Sequence, residues 1–170
     1  LSFTLGGLSK TLAMPQMKVS WIITKGPTAI VAQARKRLEM IADTYLSVNT
    51  PAQVALADGL LLEEDIQGEI RERIQGNFVI LKELASHCLS VNILNVEGGW
   101  YAVIKIPAAL SEEEWTLLFL QKDKVFIHPG YFFDFAQEAY MIVSLLNTSK
   151  QFIEGVKRIF ARIESVLNPK

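Results

Sequence analysis

The residues best suited to chemistry lie in one segment, Gly6-Gly7-Leu8-Ser9-Lys10-Thr11-Leu12-Ala13-Met14-Pro15-Gln16-Met17-Lys18-Val19-Ser20-Trp21. Lys10 comes shortly after the alternating run at residues 1–5, just beyond two glycines that let a ligand approach the backbone. Lys18 follows eight residues later, where the β-branched and aromatic run at 19–23 begins. A lysine amine condenses with an aldehyde to a Schiff base once its pKa drops from about 10.4 toward neutrality. A second cation at that spacing suits a phosphate. Solvated lysines beside a turn satisfy the same residue types and are the commoner arrangement, so residue type alone leaves both readings open.

Remaining candidates read as structure. Cys88 beside His87 has no further ligands at zinc spacing and suits the end of a helix. Arg35-Lys36-Arg37 is too short a basic cluster for nucleic acid and suits a solvated helix face. The Met and Phe stripes are core.

The elements that must position the two lysines follow from periodicity. Residues 1–5 and 19–23 read as strands, with a turn at Gly6-Gly7 and a loop through Pro15 between them. After Lys25-Gly26-Pro27 the period becomes helical, placing Ile30, Val31, Ala34, Leu38, Ile41 and Tyr45 on one face. Thr50-Pro51 reads as a cap and first helical residue of a helix to about Leu61. The longest helical pattern is Glu63–Ser86, with Ile66, Ile70, Ile74, Phe78, Leu81 and Ala85 as its apolar positions. Gly68 and Gly76 each weaken it by about 1 kcal/mol against alanine.

Strands are expected at 91–94 and 100–106, separated by Glu97-Gly98-Gly99. Ser111-Glu112-Glu113-Glu114 is a capping box opening a helix to about Gln121. Two more strands are expected at 124–127 and 140–145. The last helix starts near Thr148 and buries Phe152, Val156, Ile159, Phe160 and Ile163.

Composition bounds the rest. Half of the 170 residues are hydrophobic and the net charge is −1, from 17 basic and 18 acidic side chains, which excludes disorder. That balance gives no electrostatic reason to expect nucleic acid or an anionic membrane as partner. No apolar run approaches the roughly 18 residues of a membrane span. A single cysteine cannot form an internal disulfide, and a cytoplasmic location is the expectation. The sequence opens Leu1-Ser2-Phe3-Thr4-Leu5, as though inside a strand, so part of a longer protein is expected.

Gly-Leu-Ser-Lys, followed at plus eight by a basic residue entering a strand and then Trp21, resembles the pyridoxal-phosphate attachment site of the class I/II aminotransferases, fold type I. The resemblance extends beyond the motif. Strand pair, connecting helices, long interdomain helix, Gly98-Gly99-Trp100-Tyr101 strand, capped helix, Val125-Phe126-Ile127-His128-Pro129-Gly130, penultimate strand and terminal helix follow the family's order over essentially all 170 residues. It implies an α/β fold: the last strands of a large cofactor domain (1–62, two strands, lysine loop and helices), then an α+β small domain (63–170) entered by the long helix.

By that resemblance Lys10 is the Schiff-base lysine and catalytic proton carrier, and Lys18 contacts the phosphate of pyridoxal 5'-phosphate. The implied reaction moves an amino group from an amino donor to a 2-oxo acid. A homodimer is implied for the intact protein, and no turnover for these 170 residues alone. Two alternatives remain: a fold-type I enzyme of another reaction type, such as a lyase or decarboxylase, or a non-catalytic effector-binding module.

The sequence departs from the family pattern in three places. Lys18 replaces the usual arginine and gives up its bidentate fork. Gly7 stands where a phosphate-binding serine is common, and Ser9 is the nearest hydroxyl. Ile142 occupies the place of the arginine that grips the substrate carboxylate, and an isoleucine makes no charge-assisted bond. His128 is a candidate substitute, and a turn histidine packed beside Phe132 and Phe133 is the favoured alternative. Trp100 and Tyr101 fit either an active-site mouth or half-buried strand positions.

Overall fold

The computed structural model describes residues 1–137 and 139–169. The chain forms two compact units, Leu1–Glu69 and Ile70–Lys170.

In the first unit, β1 (Ser2–Gly7) and β2 (Ser20–Lys25) form an antiparallel pair whose register runs from Ser2 opposite Lys25 to Gly7 opposite Ser20. Gly6 and Gly7 therefore end a strand and do not form the expected turn. A Cβ on Gly6 would fall inside the Trp21 indole, so glycine is what lets the indole lie across that rung. The chain turns instead through α1 (Leu8–Thr11) and a 3-10 turn at Pro15–Met17. Leu8, Leu12, Val19 and Ala52 are buried together, with Met14, Met17, Trp21, Leu56 and Ile66 against them.

Helix α2 (Thr28–Asp43) follows its predicted period but buries none of its residues. Val31, Ala34 and Leu38 are half-buried, while Ile30 and Ile41 remain exposed. Helices α3 (Thr50–Val54) and α4 (Leu56–Leu61) replace the single helix expected over this stretch. The cap of α3 is Asn49, not Thr50: the Ala52 N–H donates to Asn49 Oδ1 at 3.2 Å. An Asx cap one residue earlier frees Thr50 to be helical. Helix α5 (Glu63–Ser86) matches its predicted span, and the boundary between the two units falls within it.

The second unit is built on an antiparallel sheet in the order β3 (Asn92–Ile93), β4 (Tyr101–Lys105), β6 (Tyr140–Ser144), β5 (His128–Pro129). Ala102, Ile104 and Ile106 from the β4 stretch join Met141, Val143 and Leu145 in the core. Helix α7 (Ser149–Leu167) covers them with the five residues its period singled out, Phe152, Val156, Ile159, Phe160 and Ile163. Helix α6 (Glu112–Leu118) opens on the capping box: Ser111 Oγ accepts from the Glu114 N–H, and Glu114 Oε2 accepts from the Ser111 N–H at 2.8 Å. Trp115 stacks on Phe119 at 5.4 Å and donates Nε1–H to the Pro107 carbonyl. Buried Asn77 on α5 donates to the carbonyls of Leu145 and Asn147, fixing the start of the β6–α7 loop.

The expected strand at 124–127 does not form. After α6 the chain widens into a π turn, Phe119–Asp123, and Lys124 adopts a left-handed conformation with φ 58°. The Val125 N–H is taken by the Phe119 carbonyl, so sheet pairing starts only at His128. Among the described residues no helix is long and apolar enough to cross a membrane.

Candidate functional site

Both candidate lysines lie on the connection between β1 and β2. Lys10 sits in the single turn of α1 immediately after the β1 glycines, and Lys18 directly precedes Val19 and the start of β2. The Leu8 N–H donates to the Val19 carbonyl at 3.0 Å, extending the hairpin ladder one rung past the strands. Leu8, Leu12 and Val19 point into the small core, and both lysines are exposed.

The connection carries backbone strain. Ala13 and Lys18 hold φ of 53° and 52°, left-handed values for residues bearing a Cβ. Each costs on the order of 1–3 kcal/mol, and strain of this kind collects at ligand clamps and active sites. Gln67 on α5 donates Nε2–H to the Thr11 carbonyl at 3.2 Å, bracing the turn beside Lys10. At Gly7 a side chain would meet Ser20 Cβ and the Val19 carbonyl at 3.2 Å, so a serine would fit only if its neighbours shifted slightly.

Ile142, His128, Trp100 and Tyr101 belong to the second unit. Ile142 is 2% exposed and lies in register with His128 on one side and Val103 on the other. His128 is ringed by Phe126, Phe132 and Phe133, with centroids at 5.0, 6.1 and 6.0 Å. Phe133 also meets Tyr101 edge-on at 5.5 Å. Trp100 is half-buried and Tyr101 exposed.

Periodicity did not reveal the importance of Glu112, which reads as one more acid in a capped first turn. It is 2% exposed, and its carboxylate accepts from the Tyr131 N–H at 3.0 Å and the Tyr140 N–H at 2.8 Å. One side chain thus ties the 3-10 turn Gly130–Phe133 to the first residue of β6. A Cβ on Gly130 would stand 2.8 Å from Glu112 Oε1, so a signal was present in Pro129-Gly130 as a glycine required by a close approach.

Cys88 and Glu164 form a further polar cluster. Glu164 Oε1 accepts from Ser90 Oγ at 2.8 Å and from Cys88 Sγ at 3.2 Å. Burial pushes the thiol up to about 11, and the hydrogen bond to Glu164 adds to the shift. The same hydroxyl and thiol hold the Glu164 carboxyl below its ordinary range. The cluster fastens the end of α7 to the loop after α5. Among the described residues no group of three or more His, Cys, Asp and Glu is placed to hold a metal ion.

The fold is that of the C-terminal portion of the fold-type I aminotransferases. Tyrosine aminotransferase from Leishmania infantum superposes with a TM-score of 0.77 at 20% identity, over 95% of this chain and 41% of that one. A PLP-dependent aminotransferase from Streptococcus suis 89-1591 superposes with a TM-score of 0.75 at 18% identity, over 95% and 42%.

The family model described as aminotransferase class I and II matches residues 2–159, and the chain belongs to that family. It is similar to the glutamate-pyruvate aminotransferase AlaA of Escherichia coli (strain K12), 26% identical over 156 residues, 85% of this chain and 38% of that protein. The chain thus spans well under half the length of the curated relatives it matches.

Proposed function

We propose that the complete protein is a pyridoxal-phosphate-dependent aminotransferase. In this reading Lys10 is the cofactor-bearing catalytic residue, Lys18 holds the phosphate, and an amino donor and a 2-oxo acid are the substrates. The observation that carries the reading is the placement of both cations on one strained connection, braced by the Leu8–Val19 bond, within a chain of this family.

The residues fit the group. A primary amine at Lys10 matches the aldehyde end, and the Lys18 cation matches the phosphate end. Gly7, whose side-chain direction is filled by Ser20 and the Val19 carbonyl, can offer that group only its backbone. Bound pyridoxal phosphate supplies an electron-withdrawing ring that stabilises negative charge at the substrate α-carbon. Lys10 Nζ, once freed, would take the α-carbon proton as general base and, as general acid, deliver it to the C4′ carbon of the cofactor. Lys18 anchors by charge without a bidentate fork, so it constrains orientation less than an arginine does.

The first unit is read as the end of a large cofactor domain and the second as the small domain, and a homodimer is the proposed assembly. The 170-residue chain alone is expected not to turn over. Buried Ile142 offers a substrate carboxylate no charge-assisted bond, which leaves a lyase or decarboxylase of the same fold as the second reading. Assaying amino donors against 2-oxo acids with the complete protein and its Lys10→Ala variant tests the proposal. Transamination lost in the variant supports it, and retained turnover overturns the role of Lys10.

A further inference from the structure

A cavity of about 530 Å³ lies in the second unit between the 124–128 segment and α7, a volume in the range of small-molecule sites. Two local features open it, and neither is what the adjoining sequence would favour. Val125, Phe126 and Ile127 are strong strand formers. Continuing the β5–β6 register beyond His128 opposite Ile142 would set Phe126 opposite Ser144. The left-handed Lys124 and the Val125–Phe119 bond carry the segment away from that pairing, and Phe126 and Ser144 both line the cavity.

The second feature is Gly155, inside α7 and on the cavity wall. Glycine there costs the helix about 1 kcal/mol against alanine. A Cβ would meet nothing closer than Val125 Cγ1 at 3.9 Å, an ordinary contact. Packing therefore does not require the glycine; what its missing side chain preserves is space. Two unrelated departures from local preference that enlarge one volume mark a site, because such departures persist where function compensates for them.

Polarity narrows the ligand. Val125, Ile127, Phe152, Val156 and Ile159 form an apolar part of the wall, Ser144, Asn147 and Gln151 a polar part, and Lys124, Glu154 and Arg158 carry its charges. Glu154 is paired with Arg158, which also donates to the Asp123 carbonyl. Lys124 Nζ donates to the Gln121 carbonyl, a neutral acceptor, so the lining keeps a net positive charge. We propose that this cavity binds a small monocarboxylate with an apolar body, the carboxylate at Lys124 and the body beside Gly155.

Titrating the chain with 3-phenylpropionate and with 3-phenylpropylamine, read by backbone amide NMR, tests this. The carboxylate should bind saturably, shifting amides of 124–128 and 151–159, and the amine should bind at least about fivefold more weakly, roughly 1 kcal/mol. Gly155→Leu, which fills the space, should abolish the shifts without lowering the melting temperature. Lys124→Asn, which keeps a left-handed backbone acceptable, should weaken binding several-fold. Should Gly155→Leu fail to fold, Gly155→Ala decides, with a raised melting temperature and weaker binding expected. No saturable binding, equal binding of the amine, or affinity unchanged in the glycine variant that folds would overturn the proposal.

Discussion

The Leu8 amide and the Val19 carbonyl are joined at 3.0 Å, one rung beyond the last paired residues of the hairpin, and each candidate lysine lies within two residues of that bond. Two buried apolar side chains therefore set the backbone from which Lys10 and Lys18 project.

Leu8→Ala should accordingly act on both stability and site. Truncating a buried leucine costs about 2–5 kcal/mol. The core of the first unit holds only four buried residues, so its loss should be felt there first. Urea unfolding followed by backbone amide NMR of residues 8–21 should show a lower midpoint, and cofactor trapping at Lys10 should fall with it. An unchanged midpoint would mean that this small core does not hold the connection.

Glu112→Gln keeps the shape of the side chain but replaces one acceptor oxygen with a donor. Either the Tyr131 or the Tyr140 N–H then faces an NH₂ group in a buried place. Hydrogen bonds to charged groups contribute roughly 1.5–3 kcal/mol, so a destabilisation of about that size is expected. The slope of the urea transition should stay constant, since the surface exposed on unfolding is unchanged. His128 ring resonances should shift as well, because the tied turn carries Phe132 and Phe133.

Cys88 gives a pH prediction with a definite sign. Its thiol is raised from 9.0 to about 11, so the fold favours the neutral form. The stabilisation is present in full below pH 9 and is lost as pH rises toward 11. Stability curves of the native protein and Cys88→Ala should therefore converge over that window. At pH 8 a thiol reagent should label the native protein far more slowly than the unfolded chain.

Much of this architecture was legible in sequence, and the exceptions share a cause. Helix α5 and the five buried residues of α7 follow from a 3.6-residue period, and the Ser111–Glu114 box from side-chain geometry within one turn. These signals are local. The strand expected at 124–127 failed because a π turn beginning at buried Phe119, a left-handed Lys124 and the Val125–Phe119 bond redirect the chain. Gly6-Gly7 reads as a turn until Trp21 is placed across from it. On α2 the period gives the helix, but not whether anything covers Ile30 and Ile41. Type and spacing made Lys10 and Lys18 candidates and the family resemblance assigned their proposed roles, whereas the ties of Glu112 emerged only once Tyr131 and Tyr140 were brought to it.

Lys10 is proposed to carry the cofactor. Borohydride reduction of the complete protein loaded with pyridoxal phosphate, followed by peptide mapping, tests it without depending on turnover. A stoichiometric pyridoxyl adduct on Lys10, reduced in occupancy by Lys18→Met, is expected. An adduct on another lysine, with Lys10 unmodified, would contradict that role.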